Sequence, residues 1–287
     1  MTHTPYIGRF APSPSGPLHF GSLVTAVGSF LQAKSVDGRW LVRIEDIDPP
    51  REMPGADTII LKQLRKFGLN WDGDVIYQSC RHASYQRQID RWLDQGHAYY
   101  CQCSRKEIKQ RGGIYDGHCR NRHLTWGAIR LHCPSPAAGF LDRLQGWISL
   151  DNALAHEDLV IRRSDGLYAY NLAVVVDDIF SEITEIVRGS DLLEPTARQC
   201  NIYRMLKAKE PTYLHLPLVC DAKGHKLSKQ NHAPALDPYH VLEQLHDALA
   251  WLNHPVPTRW EKDPPHQLLS KMAKIWNYRD IQSTSVS

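Results

Sequence analysis

The 287-residue chain has no long apolar stretch: its longest purely apolar run lies near LAVVV at 172–176, far short of the roughly 20 residues that cross a bilayer. No apolar leader opens it, and the expectation is a cytoplasmic protein with no membrane partner. Charge of one sign is scarce too. Lys and Arg number 34 against 31 Asp and Glu, a formal net charge of +3, so any contact with nucleic acid must come from a local basic surface. Seven cysteines, an odd number without an export signal, argue against a disulfide framework and leave metal ligation or plain buried thiols. Internal repeats and low-complexity segments are absent, and so are both common phosphate-binding fingerprints, G-x-G-x-x-G and G-x-x-x-x-G-K-[ST].

What is present begins as alternating strand and helix. PYIGRF reads as a short strand, and the segment from His19 to about Lys34 carries Leu23, Val27, Phe30 and Leu31 at helical spacing. RWLVRIEDID is a second strand, and GADTIILKQLRKFG a helix stopped by Gly68. This order implies a doubly wound parallel sheet. After Tyr77 the pattern becomes irregular, with a helix near 82–95, a Gly/His/Cys-rich stretch to about His123, and β-like pieces in AIRLHC and DLVIRR. From LYAYNLAVVVDD a buried-strand signal returns, followed by ITEIVRG, a helix over about 191–208 and TYLHLPLV. The expected organisation is a catalytic sheet in two halves, 1–77 and 168–235, split by an insertion at 78–167. A short extension at 236–287 follows, with helices around 238–253 and 264–276.

The densest signal is the turn GRFAPSPSGPLHFGSL at 8–23. Prolines 12, 14 and 17 fix backbone angles, Gly16 can take a positive φ, and His19 stands at the start of a helix with Gly21 close behind. A helix N-terminus offers unpaired amides and partial positive charge, and an imidazole there can hydrogen-bond a phosphate as charge builds on it. A helix cap with a stacked histidine is the plainer reading of this turn alone. The second signal is HKLSKQ at 225–230, which brings Lys226 and Lys229 together around Ser228 far downstream.

Together these segments resemble the HIGH and KMSKS signatures of class I aminoacyl-tRNA synthetases, in the form used by the glutamyl branch. The likeness extends through RIEDIDPPR, YNLAVVVDD and VRGSDLLEPTARQ, over about residues 1–240. It implies a Rossmann-like α/β fold and ATP-dependent activation of glutamate, with magnesium accompanying ATP. It places Arg9, Ala11, Ser13, Glu45, Tyr170 and Arg188 around glutamate, and His19, Gly21, Ser22, Ser228 and Lys229 around ATP, with His19, Lys226 and Lys229 as the catalytic groups. The residue types suit those tasks: arginines pair with carboxylates and Glu45 with an ammonium group. The signatures are altered at Phe20 and Gln230, and Asp191 stands where this branch often carries Glu.

A third motif is CQCSRKEIKQRGGIYDGHC, with Cys101, Cys103 and Cys119. Three such close thiolates favour zinc in a closed tetrahedral site. Spacing alone makes His118 the fourth ligand; the resemblance, through C-x-C-x(n)-Y-x3-C, makes it Tyr115, with His118 and His123 in reserve. A closed site of this kind braces the insertion. Burial is expected of the isolated Cys80, Cys133, Cys200 and Cys220.

Only 57 residues follow Gln230, too few for the helical anticodon-binding part of a full glutamyl-tRNA synthetase. The chain thus resembles the truncated, zinc-bearing glutamyl-queuosine tRNA(Asp) synthetases. That branch activates glutamate without tRNA and attaches it to queuosine at the wobble position of tRNA(Asp). A splayed single-stranded loop suits a cleft of this kind, and Arg and Lys in 104–122 and around 271–279 are candidates to meet its phosphates. No obligate protein partner is implied. The competing readings are a short glutamyl-tRNA synthetase charging the tRNA 3′ end, an inactive tRNA-binding paralogue, and a zinc hydrolase, which would need an open metal position.

Overall fold

The computed structural model describes residues 5–149, 155–220 and 234–282. Strand β1 (Ile7–Phe10) enters the opening turn, and helix α1 (Phe20–Lys34) leaves it. Ten of the fifteen residues of α1 are buried, because Leu23, Val27 and Leu31 recur on a face that small residues such as Ala26 and Gly28 widen. Removing one such leucine side chain costs about 2–5 kcal/mol. Strand β2 (Arg39–Ile44) pairs parallel with β1 and β3 (Ile76–Tyr77), while α2 (Ala56–Lys66) packs Ile60 and Leu64 inward and ends just before Gly68.

The second half contains β9 (Glu185–Gly189) and β10 (Thr212–Leu216), parallel in register from Thr212 opposite Glu185 to Leu216 opposite Gly189. The halves meet along β1 and β9. There the Thr184 amide donates to Ile7 O at 2.9 Å and the Ile7 amide donates to Thr184 Oγ1 at 2.9 Å. The chain leaves β1 for β2 on one side of this seam and β9 for β10 on the other, which makes the seam a topological switch point. Such sheets bind ligands outside the carboxyl ends of these strands.

One expectation is corrected, and two further features go beyond the sequence. LYAYNLAVVVDD holds the helix Tyr170–Phe180, not a strand. A five-residue apolar run cannot separate buried helix from buried strand, and the polar positions Tyr170 with Asp177, and Asn171 with Asp178, fall two helical turns apart. The stretch 78–167 does not lie in one sheet. Strands β4 (Ala98–Cys101), β5 (Ala128–Leu131) and β8 (Leu159–Arg162) form an antiparallel sheet, whereas β6 (Gly139–Asp142) runs parallel beside β10 and carries β7 (Gly146–Ser149) with it. The helices Val241–Trp251 and Pro265–Ile275 of the C-terminal extension pack into the main core. Leu245, Leu249, Leu268 and Met272 are fully buried in the core of α1 and β2, and Trp276 Nε1 donates to Gln32 at 2.8 Å.

Candidate functional site

A cavity of about 520 Å³ opens at the carboxyl ends of β1, β9 and β10. Every glutamate-site residue expected from the sequence lines it: Arg9 and Ala11, Ser13, Glu45, Tyr170 and Arg188. His19, Gly21 and Ser22 line the same space. Lys226, Ser228 and Lys229 lie outside the described residues. The described residues on both flanks of that segment are at the cavity, since Pro217, Leu218 and Val219 form part of its wall and Ala235 is bridged to His19.

The opening turn is fastened at several points. Pro12 O accepts from the Glu45 amide at 3.0 Å and Pro14 O from the Met53 amide at 2.9 Å. The Leu18 amide donates to Gln63 Oε1 at 2.8 Å, and Leu18 O accepts from the Leu236 amide at 2.9 Å. Gly16 takes φ of 137°, a region closed to residues with a Cβ. His19 is the N-cap of α1: its Nδ1 accepts from the Ser22 amide at 3.3 Å, while Ser22 Oγ accepts from the His19 amide at 2.8 Å. With Nδ1 accepting, the proton of the neutral imidazole sits on Nε2. Phe20, the altered signature position, packs against the main core.

Arg9 and Arg188 differ in what they touch. Arg9 binds Asp178 through Nε and Nη2, both at 3.2 Å; Arg43 binds the same carboxylate at 2.6 Å and Glu45 at 3.1 Å. All four side chains are buried. Burial works to raise the Asp178 carboxyl, but Arg43 and Arg9 hold it below the ordinary value. For Glu45 the balance reverses, and burial outweighs the two arginines and raises it. Burial, then the Glu45 charge, raises Tyr170.

Arg188 meets neutral acceptors: His215 Nε2 at 3.1 Å, Thr196 Oγ1 at 2.6 Å and Gln199 Oε1 at 2.8 Å. Its Nη1 is buried without a hydrogen-bond partner among the described residues. A buried guanidinium nitrogen lacking an acceptor is costly, and a carboxylate ligand removes that cost. Sequence reasoning missed Arg43 and Asp178, though both stood in quoted motifs, RIED and VVVDD. The available signal was the clustering of charge in otherwise apolar segments.

A separate cluster sits beyond β4. The sulfurs of Cys101, Cys103 and Cys119 all lie within 4.8 Å of one another, with 3.5 Å between Cys103 and Cys119. Sulfurs sharing one zinc ion lie about 3.8 Å apart. The Tyr115 hydroxyl accepts from the Cys119 amide at 2.8 Å, which places it beside the thiols. His118 instead contacts Arg122 through Nε2 at 3.0 Å and is exposed, as is His123, so neither joins the cluster. A Cβ on Gly127 would meet Cys101 O at 2.5 Å, so glycine is required where the strand closes on the first cysteine. Burial pushes the Cys103 thiol up to about 11, against a hydrogen bond from Arg111 at 3.1 Å. Of the isolated cysteines, Cys133 and Cys200 are buried as expected, whereas Cys80 and Cys220 are exposed. Cys80 lies in a short 3-10 turn whose Ser79 is tied to Asp46, and Cys220 follows the cavity wall. Among the described residues no helix is long and apolar enough to cross a membrane.

Known proteins show which family this chain resembles. The chain is 54% identical over 278 residues to a glutamyl-Q tRNA(Asp) synthetase of Vibrio parahaemolyticus, covering 97% of this chain and 95% of that protein. It is 53% identical over 289 residues to a glutamyl-Q tRNA(Asp) synthetase of Escherichia coli, covering 100% and 94%. In fold it is similar to a glutamate tRNA ligase of Elizabethkingia meningosepticum crystallised with its amino acid. That similarity has a TM-score of 0.79 at 24% identity, over 97% of this chain and 66% of the other. Residues 7–254 match the catalytic domain of class I tRNA synthetases of the E and Q type, and the chain belongs to that family.

Proposed function

We propose that this chain activates glutamate with ATP and transfers it to queuosine in tRNA(Asp), the activity carried in the names of relatives that match it nearly end to end. The observation that carries the activation step is the Nη1 of Arg188, without a hydrogen-bond partner among the described residues, on the wall of the cavity that also holds the His19 cap. Arg188 takes a substrate carboxylate and Glu45 the ammonium group, with Arg9 and Tyr170 completing the pocket. The hydrogen bonds of Arg188 go to neutral acceptors, His215, Thr196 and Gln199, so a substrate with an added negative charge, glutamate over glutamine, is the better match.

The α-carboxylate oxygen of glutamate attacks the α-phosphorus of magnesium ATP. The bond to the bridging oxygen breaks, and magnesium pyrophosphate leaves. Charge growing on the phosphates is met by His19 Nε2–H and by the amides opening α1, with Ser22 among the ATP-binding groups, and, as the sequence motif implies, by Lys226, Ser228 and Lys229. A ring hydroxyl of queuosine then attacks the acyl carbon, AMP departs, and the hydroxyl proton is lost to solvent. Cys101, Cys103 and Cys119 with Tyr115 fit one zinc ion, which supplies a cross-link between the end of β4 and the turn at 115–119.

Two measurements test this together: glutamate-dependent exchange of pyrophosphate into ATP without tRNA, and mapping of radiolabelled glutamate on nuclease fragments of tRNA(Asp). Label on the anticodon fragment is expected. Label confined to a 3′-terminal fragment makes the protein a short conventional synthetase, and no exchange at all makes it an inactive tRNA-binding relative.

A further inference from the structure

Arg188 is held from behind by a chain of buried groups that do not themselves line the cavity. Its Nε donates to His215 Nε2 at 3.1 Å. On the other side of that ring, Nδ1 lies 2.7 Å from Asp142 Oδ2, which also accepts from the His215 amide at 2.9 Å. The second oxygen of Asp142 accepts from the amides of Leu144 and Gln145 at 2.9 and 2.8 Å. The carboxylate is therefore locked by the turn that joins β6 to β7, and the imidazole is locked by the carboxylate.

The order of these bonds settles the protons. A carboxylate only accepts, so His215 must carry its proton on Nδ1, leaving a lone pair on Nε2. The Nε–H of Arg188 donates to that lone pair; Thr196 Oγ1, whose own proton goes to Leu192 O at 2.6 Å, lies 3.0 Å from the same nitrogen. A charged imidazole would instead point a proton at a guanidinium. Burial first, and Arg188 next, hold the His215 pKa below its ordinary value, while Asp142 and Asp191 pull the other way without prevailing. The neighbouring rings, Tyr213 stacked at 6.2 Å and Phe140 tilted at 5.9 Å, fix the plane of the imidazole.

We infer that Asp142 and His215 are positioning residues for substrate binding: they set the tautomer and the guanidinium plane so that Arg188 keeps Nη1 for the substrate carboxylate. This rests on the reading of Arg188 as a carboxylate ligand. It gives the β6–β7 hairpin a role in amino-acid recognition, although neither Asp142 nor His215 lines the cavity.

The test uses the full chain, pyrophosphate exchange, and separate KM values for glutamate and ATP. His215→Leu removes the acceptor, and about a tenfold rise in glutamate KM is expected, with kcat and the ATP KM within about twofold. His215→Gln offers a side-chain carbonyl in place of Nε2 and is expected to recover most of that rise. Equal glutamate KM values in the Leu and Gln variants, or an ATP KM that moves as far as the glutamate KM, would overturn the inference. Should His215→Leu not fold, Asp142→Asn takes its place with the same glutamate-only rise expected, and an unchanged glutamate KM in that folded variant would overturn it. Arg188→Ala distinguishes the two layers. If that substitution leaves the glutamate KM unchanged, the reading of Arg188 itself has failed. If it raises the KM while His215→Leu and Asp142→Asn do not, only the positioning role has failed.

Discussion

The cavity and the cysteine cluster both hold reactive groups in place, by opposite means. The cavity draws its wall from Arg9 to Val219, residues brought together only when both half-sheets, α1 and the helix Tyr170–Phe180 have packed. Behind its wall Arg9 and Arg43 are buried and paired on Asp178, so their geometry is a property of the whole fold. The cluster draws Cys101, Cys103 and Cys119 from one short local stretch. Around it Arg105, Lys106, Lys109 and Arg111 are exposed, and its buried apolar neighbours are few. One site is preorganised by packing. The other has a short local stretch holding three thiols within 4.8 Å of one another; if, as proposed, they hold a metal ion, its loss should be felt locally.

The largest effect expected on that basis is at Arg188. Arg188→Ala should raise the glutamate KM in pyrophosphate exchange at least about 100-fold, because hydrogen bonds to a charged group contribute about 1.5–3 kcal/mol each. Bound metal, measured by atomic absorption, should not change. His19→Ala and Lys229→Ala come next, each lowering the exchange rate at least about tenfold while the thermal midpoint stays put.

Metal removal probes the other side of the comparison. Chelation, or Cys103→Ser, should raise amide hydrogen exchange across 101–123 and lower the thermal midpoint, while glutamate-dependent exchange stays within about twofold. Chelation that abolished activation as fully as Arg188→Ala would erase the distinction between the two sites.

Acid should act on the cavity in a defined direction. The folded Asp178 carboxyl is held below its unfolded value of about 3.9. Its stabilising contribution is therefore complete above that value and is lost as pH falls through the folded pKa. Glu45, raised in the folded state, contributes with the opposite sign and weakens the fold as pH rises through its own. Denaturant titrations across this range should show the acid loss in the parent protein and its flattening in Asp178→Asn. The smallest effect belongs to the exposed cations of the lobe. Replacing Arg105, Lys106 and Lys109 by Gln should weaken transfer to tRNA a few-fold and reduce its salt slope by about 2–3, leaving activation untouched.

Much of the cavity was legible before any coordinates. Arg9, His19, Glu45, Tyr170 and Arg188 stand in motifs whose resemblance carries them, and all line one space. The cysteine cluster was legible because its ligands are close in sequence. What stayed hidden depends on long-range pairing. The β6–β7 hairpin read as part of an insertion because its place beside β10 rests on a contact between Asp142 and Tyr213 that no local pattern announces. Val174–Val176 read as strand because β-branched residues favour strands in isolation, whereas the packing between α3 (His82–Asp94) and the helix Leu193–Met205 selects a helix.

The prolines of the opening turn have a consequence for the cost of nucleotide binding. Pro12 and Pro14 have no amide hydrogens to satisfy, and their carbonyls are already taken by Glu45 and Met53. The segment proposed to receive the phosphates has therefore given up its backbone freedom during folding. If ATP binds there, ordering of this turn should add little to the translational, rotational and desolvation costs that any association carries.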